Sequence, residues 1–129
     1  MKYAYTILYV PDVSAALAFY EEAFGLERRF LTDAADYGEL DTGATALAFA
    51  AEELARSNGV PFRPARADDT APAVELAFVV DDVAAAQARA VDAGASAVTE
   101  PVQKPWGQTV AYVRDIHGVL IELCTAMGG

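Results

Sequence analysis

The apolar positions of this chain fall into strand-like and helix-like runs that alternate in a repeated order. Residues 3–10, Tyr-Ala-Tyr-Thr-Ile-Leu-Tyr-Val, are rich in aromatic and β-branched types and predict a buried strand. Pro11-Asp12 breaks it, and Asp12 or Ser14 can cap a helix in which Val13, Leu17, Tyr20 and Phe24 recur at helical spacing. Gly25 suits a left-handed stop for that helix. Three shorter strands are predicted around 26–32, 36–42 and 44–50, separated by turn residues at Asp33 to Asp36 and at Thr42-Gly43.

Residues 52–72 interrupt the pattern. Glu52-Glu53-Leu54-Ala55 can form a helical turn, but Asn58-Gly59, three prolines and Asp68-Asp69 predict a linker, a lid or a dimer arm. The order then restarts: a strand over 73–80, an Asp81-Asp82 cap, and an Ala-rich helix over 83–93 that stops at Gly94. Strands follow near 96–100, 108–114 and 119–125, the last two joined by a tight turn at Asp115-Ile116-His117-Gly118.

The two halves align residue for residue at their starts. Val10-Pro11-Asp12-Val13-Ser14-Ala15-Ala16 lies over Val80-Asp81-Asp82-Val83-Ala84-Ala85-Ala86, and Ala23-Phe24-Gly25 lies over Asp92-Ala93-Gly94. The chain therefore predicts an α+β domain of two strand–helix–three-strand (βαβββ) modules, 1–51 and 73–129, joined by the linker 52–72. A helix with one meander leaves an apolar face, so the two copies are expected to combine by an internal pseudo-twofold.

Composition narrows the function classes. The 129 residues suffice for one domain, and 54% hydrophobic content excludes global disorder. A net charge of −10 argues against nucleic acid and against an anionic membrane surface. No apolar run approaches a membrane span, and Met1-Lys2-Tyr3 does not open a signal peptide, so a cytoplasmic location is expected. The single cysteine, Cys124, forbids an intrachain disulfide and agrees with a reducing compartment.

Two stretches carry a family resemblance. Tyr5-Thr-Ile-Leu-Tyr-Val-Pro-Asp-Val13, followed by Ala18-Phe19-Tyr20 and Phe24-Gly25-Leu26, resembles the opening of vicinal oxygen chelate domains, the glyoxalase, bleomycin-resistance and extradiol dioxygenase superfamily. Lys104-Pro-Trp-Gly-Gln108, Val113-Arg114-Asp115 and Gly118 through Glu122-Leu123 resemble its closing hairpin. The resemblance implies two βαβββ modules forming a curved mixed or antiparallel sheet that cups a pocket, often in a homodimer. It also implies four metal-ligand positions, which fall here on Tyr5, Ala48, Glu75 and Glu122. Ala48 has no donor and the Tyr5 phenol is protonated at neutral pH. No cofactor is therefore expected, and the alternative is a divalent ion held with water by Glu75 and Glu122. His117, the only histidine, falls in the turn and is read as a turn residue.

Strand alternation completes the candidate site. With Tyr5 facing inward, Ile7 and Tyr9 follow, as do Ala46, Ala48 and Ala50, while Leu47 and Phe49 pack under the helices. Tyr37, Glu39 and Asp41 join them if Leu40 lies beneath a helix. Glu75 and Glu122 interrupt apolar strands, where a carboxylate is costly to bury without a partner and is a candidate general base or half of a cation-binding pair. The structural alternative places one or both at a solvated sheet face, or pairs them with Arg89, Arg114 or a tyrosine hydroxyl. Tyr112 is a further candidate ligand contact, and Trp106 is either a stacking surface for a planar ligand or a hydrophobic plug or dimer contact. Arg28-Arg29 is assigned to the surface, and Cys124 to small buried packing. Two functions remain open. One is a small-molecule binder that sequesters a planar or cationic organic compound. The other is a lyase, isomerase or dioxygenase, metal-dependent or using Glu75 or Glu122 as base.

Overall fold

The breakers in the sequence set the element boundaries in the computed structural model, which describes residues 1–128. The chain divides into two units, Met1–Ala65 and Arg66–Gly129. In the first, strand β1 (Tyr5–Val10) leads into helix α1 (Val13–Phe24), then strands β2 (Glu27–Leu31), β3 (Tyr37–Asp41) and β4 (Ala46–Ala51) and a short helix α2 (Glu52–Ser57). The second repeats the order with strand β5 (Glu75–Val79), helix α3 (Val83–Ala93) and strands β6 (Ser96–Gln103), β7 (Thr109–Arg114) and β8 (Leu120–Cys124).

Each unit holds one four-stranded sheet, ordered β1-β4-β3-β2 in the first and β5-β8-β7-β6 in the second. β1 pairs parallel with β4, and β5 parallel with β8, while the remaining pairs are antiparallel. The sheets are mixed for a simple reason. The helix carries the chain back to its starting end, and two hairpin reversals then leave the last strand running alongside the first in the same direction.

Asp12 and Asp82 cap the two long helices, each side chain accepting the backbone N–H three residues on, from Ala15 and Ala85, at 3.0 Å. Gly25 ends α1 at a φ of 68°, which L side chains rarely adopt. The first core is aromatic: Tyr20 of α1 meets Phe49 of β4 at 5.0 Å between ring centroids, and Leu17 and Leu40 are fully buried beside them. Burial of each such side chain contributes about 1.5–3 kcal/mol. The second core is smaller, built from Val83 and Ala90 of α3 with Val113, Ile121 and Leu123 of the sheet.

Two elements differ from their sequence expectations. The interrupting segment 52–72 begins as α2, which carries Glu52 and Ala55 into buried positions. β6 continues past residue 100 to Gln103, with register shifts between Ala97 and Thr99 and between Thr99 and Val102. As the end strand of its sheet, β6 can accommodate Pro101, which has no N–H to give to a ladder.

Candidate functional site

In the first unit the register lines up one sheet face. Ile7 lies opposite Ala48 and Ala48 opposite Glu39, while Tyr9, Ala50 and Tyr37 form the next row. Ala46, Ala48 and Ala50 are buried, so the floor of this face is made of methyl groups. Tyr5 and Ile7 stand exposed on it at 54% and 43%, and Tyr9 packs edge-on against Phe62 at 4.9 Å. Leu40 is fully buried, so Tyr37, Glu39 and Asp41 take the opposite face of β3, as alternation required.

Glu39 is 9% exposed and is held from two sides. The Tyr37 hydroxyl donates to its Oε2 at 2.8 Å, and the Arg29 guanidinium lies 3.9 Å from its Oε1 and 3.3 Å from Asp41. Partial burial, then the hydrogen bond and charge of Glu39, push the Tyr37 phenol up to about 12. Arg29 is exposed, as the sequence assigned it, and from the surface its guanidinium reaches this cluster.

In the second unit Ala77, Glu122 and Tyr112 form one row, and Glu75, Leu120 and Arg114 the row beside it. Compared with the first unit, Tyr5 corresponds to Glu75, Ala48 to Glu122 and Glu39 to Tyr112. Glu122 is the hub. The Tyr112 hydroxyl donates to its Oε1 at 3.0 Å, the Cys124 thiol donates to the Phe78 carbonyl at 3.7 Å, and the Glu75 carboxyl and the Cys124 thiol both feel the Glu122 carboxylate.

Partial desolvation, then the hydrogen bond and charge of Glu122, raise Glu75 above the usual carboxylate range. The same causes push Tyr112 up to about 12 and raise the Cys124 thiol, which therefore lacks the thiolate character of a reactive cysteine. Of the alternatives open for the two glutamates, the solvated sheet face holds for Glu75 and the tyrosine hydroxyl for Glu122. Glu122 is half-buried and Glu75 is exposed, because β5 ends its sheet and this face of it is open. An open groove of about 310 Å³, lined by Pro72, Ala73, Val74, Glu75 and Leu120, runs beside it.

The partner of Glu122 is a tyrosine, while Arg114 is committed elsewhere. Its guanidinium donates to the carbonyls of Gly118 at 2.9 Å, Arg66 at 3.0 Å and Ala67 at 3.4 Å, clasping the start of the second unit to the β7–β8 turn. Asp115 organises that turn, accepting the backbone N–H groups of His117 and Val119 at 2.9 Å each. His117 lies in this turn. Trp106 is 60% exposed in the β6–β7 loop, so it does not plug the core of its unit. Its neighbour Gln108, a contact the sequence reading missed, accepts the indole N–H at 2.7 Å.

The donor set does not suit the divalent metal that the resemblance implied. A hard divalent ion needs more protein ligands than two carboxyl groups. Ala48 supplies no donor atom, and among the described residues no three His, Cys, Asp or Glu side chains are grouped to hold an ion.

A repeated βαβββ module with a polar cluster on the sheet face defines a class of fold already suggested by the opening strand and the closing hairpin. The family model of the Glyoxalase/Bleomycin resistance protein/Dioxygenase superfamily matches residues 2–123, and the chain belongs to that superfamily. A glyoxalase-related enzyme from Fulvimarina pelagi superposes with a TM-score of 0.83 at 25% identity, covering 98% of this chain and 88% of that one. A glyoxalase/bleomycin resistance protein/dioxygenase family enzyme from Burkholderia phytofirmans PsJN gives 0.81 at 22% identity, over 96% and 98%. TioX from Micromonospora sp. ML1 gives 0.70 at 25% identity, over 97% and 98%. No curated protein matches the chain. Among the described residues no helix is long and apolar enough to cross a membrane.

Proposed function

We propose that this protein binds a small organic molecule in the manner of the bleomycin-resistance members of its superfamily, sequestering a planar or cationic compound without a full metal site. Such a role suits drug or natural-product resistance. The observation that carries it is the Glu122 hub, a half-buried carboxylate with the Tyr112 hydroxyl and Glu75 beside it on an open sheet face. Carboxylates on a low-dielectric surface attract organic cations, and tyrosine and tryptophan faces add cation–π attraction. Trp106, exposed in the same unit, is the proposed stacking surface, and a net charge of −10 favours the approach of cations. The exposed apolar Tyr5, Ile7 and Val79 support a homodimer as the working form, and the lone cysteine supports a cytoplasmic setting.

Equilibrium dialysis against N-methylacridinium, a flat organic cation, tests the reading. Wild-type protein is expected to bind it, with roughly ten-fold weakening in Glu122→Gln. Equal binding by the two proteins contradicts the assignment of Glu122.

A second reading, an enzyme of the lyase or isomerase kind, is favoured by the raised Glu75 carboxyl alone. A Glu75 carboxyl raised above its usual range can take a carbon-bound proton closer to neutrality than an ordinary glutamate. Solvent-deuterium exchange into carbonyl compounds distinguishes it: exchange abolished in Glu75→Gln supports the enzyme over the binder.

A further inference from the structure

Exposed tryptophans usually owe their position to loose packing, but Trp106 is tied down through a chain of hydrogen bonds. Its indole N–H donates to Gln108 Oε1 at 2.7 Å, and Gln108 Nε2 donates to the Thr125 carbonyl at 2.9 Å. Thr125 is itself fixed: its hydroxyl accepts the Thr109 N–H at 3.0 Å, and its own N–H donates to the Thr109 carbonyl at 3.1 Å. The Gln108 backbone is held as well, its carbonyl accepting the Lys104 N–H at 2.7 Å. The amide of Gln108 has one workable orientation. Flipping it would set its NH₂ against the indole N–H and its oxygen against the Thr125 carbonyl.

Gln108 is 9% exposed, while the ring it holds is 60% exposed. The ring therefore borders solvent along a shallow depression of about 170 Å³, lined also by Gly107, Gln108, Thr125, Ala126 and Gly128. The Gly107 φ of 101° turns the loop, and nothing lies within 4 Å of the place a Cβ would occupy there, so no side chain crowds that side of the loop.

We propose that Gln108 is a positioning and specificity-determining residue: it fixes the Trp106 ring and consumes its only hydrogen-bond donor, so that a ligand meets the π face alone. The face of an indole carries negative quadrupole charge, and its N–H is the one group that would recognise an anion or a carbonyl. With that group occupied, the depression selects planar organic cations against planar anions of the same shape. This rests on the reading above that Trp106 contacts the ligand.

Trp106 is the only tryptophan in the chain, so its fluorescence reports this ring and no other. Anisotropy decay of the wild-type protein is expected to lack a sub-nanosecond indole component, Gln108→Met to acquire one, and Gln108→Glu, which keeps an acceptor for the N–H, to suppress it in part. Titration then compares N-methylacridinium with acridine-9-carboxylate. Wild type is expected to prefer the cation by roughly ten-fold, and Gln108→Met to reduce that preference to about three-fold or less as the freed N–H accepts the carboxylate as partner. A freely mobile indole in wild type, or an unchanged cation preference in Gln108→Met, overturns the proposal. Binding of neither probe overturns the binding reading and the selectivity together, whereas a rigid ring that loosens in Gln108→Met still supports the positioning role. A wild-type ring shown by quencher inaccessibility to be covered in a homodimer also overturns it.

Discussion

Glu122 holds the second-unit cluster together: the Tyr112 hydroxyl donates to it, and its charge bears on Glu75 and Cys124. Its surroundings make the charge of Glu75 unfavourable in the folded state. The folded protein then holds a proton that the unfolded chain releases near 4.5, so this contribution to stability is complete below that pH and is lost as pH rises through the raised folded value. Glu75→Gln removes the titration. Its thermal midpoint is expected to gain on wild type as pH rises from 4.5 and to level off once the raised folded value is passed, and a difference independent of pH contradicts the raised Glu75 carboxyl. The tyrosines give a second check. Tyr37 and Tyr112, among six tyrosines, are expected to retain their protons until about pH 12, and Tyr112→Phe to remove one late step from the phenolate absorbance titration. That these side chains share a sheet face was legible from alternation alone. Their partners were less so, because a hydrogen bond such as Trp106 to Gln108 depends on side-chain direction in a loop that has no periodicity.

At the scale of elements, the most constrained feature is the β7–β8 turn. Gly118 has a φ of 94°, and a Cβ there would lie 2.4 Å from the Arg66 carbonyl that Arg114 also grips. Gly118→Ala is therefore expected to destabilise by about 2 kcal/mol or more, measured by urea denaturation, from backbone strain and displacement of the clasp together. Loss below about 0.5 kcal/mol would show the clasp to be slack. The helices and their stops were readable because Asp caps and glycines act locally: Asp12, Asp82, Gly25 and Gly94 each sit where their chemistry requires. The extension of β6 was not readable, since register shifts are decided by the neighbouring strand. The clasp of Arg114 on residues 66 and 67 joins positions 47 and 48 apart in sequence, a separation at which no local pattern operates.

At the scale of the whole chain, the repeat carries the argument. By strand register Tyr5 is the equivalent of Glu75 and Ala48 that of Glu122, so the four positions at which the resemblance implied metal ligands carry two carboxyls, a phenol and a methyl group. The family was legible from two anchor stretches, and the family model spans residues 2–123. The ligand was not, because fold membership leaves the chemistry to individual side chains. The proposed recognition of an organic molecule by carboxylate and aromatic surfaces rests on those side chains. The most direct test is the metal content of the purified protein, followed by calorimetric titration with zinc, nickel, manganese and iron(II). The account predicts less than one-tenth of an equivalent as purified and only weak, non-stoichiometric heats, roughly millimolar and unchanged in Glu122→Gln. One tight equivalent per chain, abolished by Glu122→Gln, would contradict it.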